Sequence, residues 1–151
     1  MNVGIFGSRT LNDQRVKIEI LAQLKKYGAT KVITTQEPRG VCEVAQLVAK
    51  ELGMPLQLHF LNFKYLRGAF EHRSKEVIAA ADKFIVIHDG VSRGTANELA
   101  LVKKSRKEYC YIVLEPDELA RDIGFNVDES WDKPPHKGKN AEAELFGVPL
   151  I

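Results

Sequence analysis

The sequence predicts an α/β fold: a three-layer sandwich with helices on both faces of a mainly parallel five-stranded sheet, strand order 3-2-1-4-5. Three observations carry that prediction. Five short apolar runs rich in branched residues alternate with four stretches of helical period. The runs lack strict apolar–polar alternation, which suits strands covered on both faces. Glycines and prolines fall at the joins, where helices have to stop.

In chain order, the strands are expected at Val3–Phe6, Lys31–Thr34, Leu56–Phe60, Phe84–His88 and Tyr109–Leu114. The first helix spans Asn12 to Lys26, with Val16, Ile20 and Leu24 on one stripe and Gly28 as its stop. The second begins near Gly40 and repeats Val41, Val44, Ala45, Val48 and Leu52 at helical spacing until Gly53 and Pro55 end it. A third runs from Gly68 to Ala81 and a fourth from Gly94 to Lys104. Right-handed crossovers then place strand 1 in the middle, with strands 2 and 3 on one side and 4 and 5 on the other. The result is a Rossmann-like domain whose strand order reverses between strands 1 and 4. Ligands bind such sheets outside the carboxyl ends of the strands at that reversal. Two loops are thereby nominated, Gly7-Ser8-Arg9 and Asp89 to Thr95.

The 151 residues make one domain, with a core over 1–114 and a C-terminal extension over 115–151. Asp117 to Arg121 has room for one helical turn. The apolar Leu145 to Ile151 is expected to pack on the domain or on a second subunit, and a homo-oligomer, a dimer or larger, is anticipated. Apolar content of 44% and charged content of 28% are ordinary for a globular chain. A formal charge of +2 argues against a dedicated nucleic-acid binder. Cys42 and Cys110 have no metal-like spacing, and the four histidines are dispersed, so neither a metal nor a cofactor is expected. No apolar run approaches the roughly 20 residues of a membrane span, and the reduced thiols and absent secretory leader suggest the cytoplasm.

Both loops have the composition that anion binding demands. Gly7 permits close backbone approach, Ser8 offers a hydroxyl and Arg9 a planar cationic fork. Asp89-Gly90-Val91-Ser92-Arg93-Gly94-Thr95 leads into a helix whose first N–H groups lack partners, so a phosphate is favoured there. The phosphate-binding candidates are Gly7, Ser8, Arg9, Asp89, Gly90, Ser92, Arg93, Gly94 and Thr95, sharing one electropositive cradle. Neither loop is a dinucleotide-binding GxGxxG or a Walker A motif.

Gly4-Ile5-Phe6-Gly7-Ser8-Arg9, Arg73-Ser74-Lys75-Glu76, Ala81-Asp82 and Gly90 to Glu98 together resemble the small YspA-like members of the SLOG superfamily. The last stretch is similar to the Pro-Gly-Gly-x-Gly-Thr-x-x-Glu signature of LOG phosphoribohydrolases, and DprA is a more distant relative with the same core. The resemblance covers Met1 to Leu114. It implies that Arg73 and Glu98 occupy catalytic positions, which in LOG enzymes serve cleavage of a nucleoside 5′-monophosphate to free base and ribose 5-phosphate. The chain departs from the pattern in two places. Its signature loop is one residue longer, and after strand 2 the usual Gly-rich loop and Gly-Ala-Asp are replaced by Thr34 to Cys42, with Cys42 at the aspartate position.

Plainer readings stand beside these. Glu98 suits a helix dipole, Arg73 an exposed helix face near Arg67 and Lys75, and Asp89 a turn. His88 suits a hydrogen-bonded structural role and Cys42 a buried inert thiol. Tyr65 and Phe63 suit either base stacking or packing. Three functions follow, in order of preference: a module that binds or senses a nucleotide or nucleotide-derived phosphate, a LOG-like N-glycosidic hydrolase, and a DprA-like nucleic-acid binder.

Overall fold

The computed structural model describes residues 1–116. Each apolar run forms a strand and each periodic stretch a helix. The order is β1 (Asn2–Gly7), α1 (Gln14–Tyr27), β2 (Lys31–Thr35), α2 (Val41–Leu52), β3 (Leu56–His59), α3 (Ala69–Ala80), β4 (Lys83–His88), α4 (Arg93–Ser105) and β5 (Glu108–Val113). All five strands pair in parallel, in the order β3-β2-β1-β4-β5. This is the expected Rossmann-like α/β arrangement. One further element, a 3₁₀ turn at Phe63–Gly68, precedes α3 where the sequence predicts only a loop.

The sheet separates two apolar layers, because successive side chains of a strand point to opposite faces. Val3 and Ile5 of β1 and Ile85 and Ile87 of β4 pack with Val16 and Ile20 of α1 and Ala45 and Val48 of α2. Phe6, Phe84 and Val86 face the other way, against Val77 of α3 and Leu99 and Val102 of α4. β1 and β4 are direct neighbours, with Gly7 opposite Ile87 and the Ser8 N–H bonded to the Ile87 carbonyl at 3.0 Å. The loops after these strands therefore start side by side.

A third loop, after β2, is locked against the first. Gly40 adopts φ +80°, and a Cβ there would come within 2.4 Å of the Arg9 Cα. Gly7 is equally crowded, since a Cβ would lie 2.3 Å from the Val41 side chain. Both glycines thus let the start of α2 press onto the β1 loop. That is a packing reason for Gly7, beside the approach to a ligand that the sequence suggests. Gly40→Ala combines an unfavourable φ with a backbone collision, and is expected to cost about 2–4 kcal/mol, measured by urea unfolding.

Among the described residues, no helix is long and apolar enough to cross a membrane. The expected turn at Asp117 to Arg121 and the apolar segment Leu145 to Ile151 lie outside the described residues.

Candidate functional site

A cavity of about 440 Å³ opens at the carboxyl ends of β1 and β2, on the side covered by α3 and α4. That size falls within the roughly 300–1,000 Å³ of small-molecule sites. Gly7 and Arg9 from the β1 loop, Thr35 and Glu37 from the end of β2 and its loop, and Arg67, Phe70 and Arg73 from the α3 side line it. Ser92, Gly94, Thr95 and Glu98 from the start of α4 complete the wall. Both positions that the resemblance makes catalytic, Arg73 and Glu98, therefore face one space.

The centre of the cavity wall is a buried ion cluster. Glu37 is only 8% exposed, and its carboxylate accepts from Arg9 Nε at 2.9 Å, Arg9 Nη2 at 3.4 Å and Arg73 Nη2 at 2.7 Å. Burial pushes the Glu37 carboxyl up, but the two guanidiniums outweigh it and hold it at about 2. Arg73 is 4% exposed and stacks its guanidinium over the Phe70 ring at 5.3 Å. This removes the reading of Arg73 as part of an exposed helix face. Its Nε–H has no acceptor among the described residues. A buried donor without an acceptor is costly.

The loop before α4 is organised by Asp89. Its Oδ1 accepts from the Val91 and Ser92 N–H groups at 2.9 and 2.7 Å, and its Oδ2 from the Thr10 and Ser92 hydroxyls at 2.8 Å each. Burial raises the Asp89 carboxyl, but these donors bring it below the usual aspartate value. The Asp89 N–H in turn donates to the Ser8 hydroxyl, which lies 3.0 Å from the Thr95 hydroxyl. Ser8 and Asp89 thus fasten the β1 and β4 loops together, and neither lines the cavity. Gly90, at φ +89°, shapes this turn, and Arg93 is an exposed residue at the first position of α4; both also fall outside the lining.

The single electropositive cradle expected from the two loops is consequently not what forms. Asp89 takes the Val91 and Ser92 N–H groups just ahead of α4, and Glu37 takes part of the Arg9 fork. The α4 N-terminus still meets the cavity through Gly94 and Thr95, whose first-turn N–H groups have no acceptor within the helix. Glu98 sits more than one turn inside α4, beyond reach of a first-turn dipole effect, so that plain reading does not hold.

His88 donates from Nε2 to the Ser92 carbonyl at 3.0 Å and pairs through Nδ1 with the Tyr111 hydroxyl at 2.8 Å. It serves the loop rather than the cavity. Cys42 does line the cavity, but burial first, then the Glu98 and Glu37 carboxylates, push its thiol up, away from the nucleophilic form. Tyr65 stacks on His72 at 3.8 Å and is not among the lining residues; Phe70 is the aromatic on the wall. Glu37 and Phe70 are the residues that sequence reasoning missed. The only signal for Glu37 was that the loop after β2 departs from the resembled pattern. Among the described residues, no group of three His, Cys, Asp or Glu side chains could hold a metal ion.

Compared with known proteins, the chain matches no family model, no curated protein and no solved structure.

Proposed function

We propose that the cavity binds a nucleotide or nucleotide-derived phosphate, and that the protein acts as a binding or sensing module of SLOG type. One observation carries the reading: Arg73 of α3 and Gly94, Thr95 and Glu98 of α4 line a single cavity at the carboxyl ends of β1 and β2. The phosphate lies at the start of α4, where N–H donors and the positive end of the helix dipole favour it. The sugar lies between Glu98 and Arg73, and Phe70 offers an apolar face to the base.

A second reading, LOG-like hydrolysis, draws on Arg73 and Glu98 sharing that cavity. A carboxylate beside the anomeric carbon stabilises oxocarbenium-like charge or orients water, while an arginine holds the sugar or phosphate. One assay separates the two. The protein is incubated with the common nucleoside monophosphates, and free base and ribose 5-phosphate are measured beside thermal unfolding. The sensing module gives a ligand-dependent rise in melting temperature without turnover. Base release that disappears in Glu98→Gln would instead establish the hydrolase. A protein that neither melts higher nor releases base with any of them refutes both.

A further inference from the structure

Four side-chain hydroxyls line the cavity, and three of them are engaged within the protein. Thr35 donates to the Cys42 sulfur at 3.3 Å, Ser92 donates to Asp89 Oδ2 at 2.8 Å, and Thr95 pairs with the Ser8 hydroxyl at 3.0 Å. The fourth belongs to Ser74 of α3. We propose that this hydroxyl is a specificity-determining group, which hydrogen-bonds the edge of the ligand's base and so separates nucleotides from sugar phosphates. This deepens the nucleotide reading and rests on it for the kind of ligand bound.

Ser74 is only 4% exposed, and it stands on the cavity wall. A serine inside a helix commonly bonds back to a carbonyl of the preceding turn, as Ser105 does to Val102 at 2.6 Å. The Ser74 hydroxyl makes no such bond and has no partner among the described residues. Among those residues, the side-chain atoms that are both sealed from solvent and unpartnered are Gln36 Oε1 and Arg73 Nε. The Ser74 oxygen is not one of them, so it keeps accessible surface, and that surface opens on the cavity.

The surroundings suit a base. Ser74 follows Phe70 by four residues, so the two share one face of α3, and Ala100 and Leu101 of α4 also line the cavity. Leu101 stands seven residues beyond Gly94, about 10 Å along α4 and well away from the phosphate position. A flat ring resting against Phe70 therefore presents its rim to Ser74. A hydroxyl both gives and takes a hydrogen bond, so it matches the ring nitrogens, carbonyls and amino groups of a base. A sugar phosphate carries no ring to place there. Its absence leaves the hydroxyl as it stands in the free protein, whereas a base supplies the partner it lacks.

The test compares the wild type with Ser74→Ala, by thermal unfolding and by calorimetry with the common nucleoside monophosphates and ribose 5-phosphate. The free protein loses no hydrogen bond and alanine is the better helix former, so the melting temperature is expected to stay level or rise. The nucleoside monophosphate that binds is expected to weaken about three- to tenfold, the range for one hydrogen bond, while ribose 5-phosphate stays within about twofold. A lower melting temperature with equal losses for both ligands makes Ser74 a structural residue and overturns the proposal. Nucleotide binding that is unchanged in Ser74→Ala also overturns it and leaves the nucleotide reading standing. If no common nucleoside monophosphate binds the wild type, that reading fails and the role of Ser74 falls with it. A second arm needs no ligand. Ser74→Cys, made in a Cys110→Ser background, is expected to gain one thiol that a small methanethiosulfonate modifies in the folded protein, counted by mass against Cys110→Ser alone. No gain means that the side chain does not open on the cavity, and overturns the proposal.

Discussion

Replacing Glu37 with alanine is expected to lower folding stability by about 3–5 kcal/mol, the largest effect of any single substitution at the site. The loss comes less from the missing attraction than from leaving Arg9 and Arg73 buried without their shared anion. The same cluster sets an acid limit. The folded chain holds the Glu37 carboxyl at about 2, below its ordinary 4.5, so folding favours the ionised form. Its contribution is complete above pH 4.5 and is lost as the pH falls toward 2. Asp89 is lowered as well and adds in the same direction. Thermal melts of the wild type should fall through that window. Melts of Glu37→Gln should start lower and fall less steeply, and parallel curves would count against the cluster as the source.

Arg73→Gln should weaken a nucleoside monophosphate by about 10- to 100-fold, the range expected when a hydrogen bond to a charged group is lost. Arg73→Lys should not restore it, because an ammonium cannot hold Glu37 and a ligand hydroxyl with one planar fork. Stability and affinity must be read separately, since Arg73 also supports Glu37; calorimetry below the melting transition does so. Arg93→Ala is the contrasting variant. The sequence nominates Arg93 as a phosphate ligand, but it is exposed and off the cavity wall, so its removal should shift affinity by less than about threefold through long-range charge alone.

The fold was legible because its signals are local. Apolar runs, helical periods and glycine stops lie within a few residues of each other, and the handedness of crossovers then leaves few sheet orders. The same order brings residues from the loops after β1 and β4 to one cavity, but the charge pairing in that cavity was not legible. Glu37 sits in a Thr-Thr-Gln-Glu-Pro-Arg run that reads as a polar loop, and its burial depends on arginines 28 and 36 positions away. Arg73 lies among charged neighbours on a helix, and only the packing of α3 against the sheet turns it inward while Lys75 stays out. Asp89 reads equally as a ligand contact or a turn former, until four donors are seen to converge on it. Long-range pairing of charges is the information that a one-dimensional pattern lacks.

The account is tested most directly by titrating isotope-labelled protein with AMP and following backbone amide resonances. It predicts that the largest shifts fall at Gly94, Thr95 and Glu98, with a second group at Arg9, Glu37 and Arg73, and that the distant ends of α1 and α2 stay still. Shifts confined to another surface, or none with AMP or the other common nucleoside monophosphates at millimolar concentration, would contradict it.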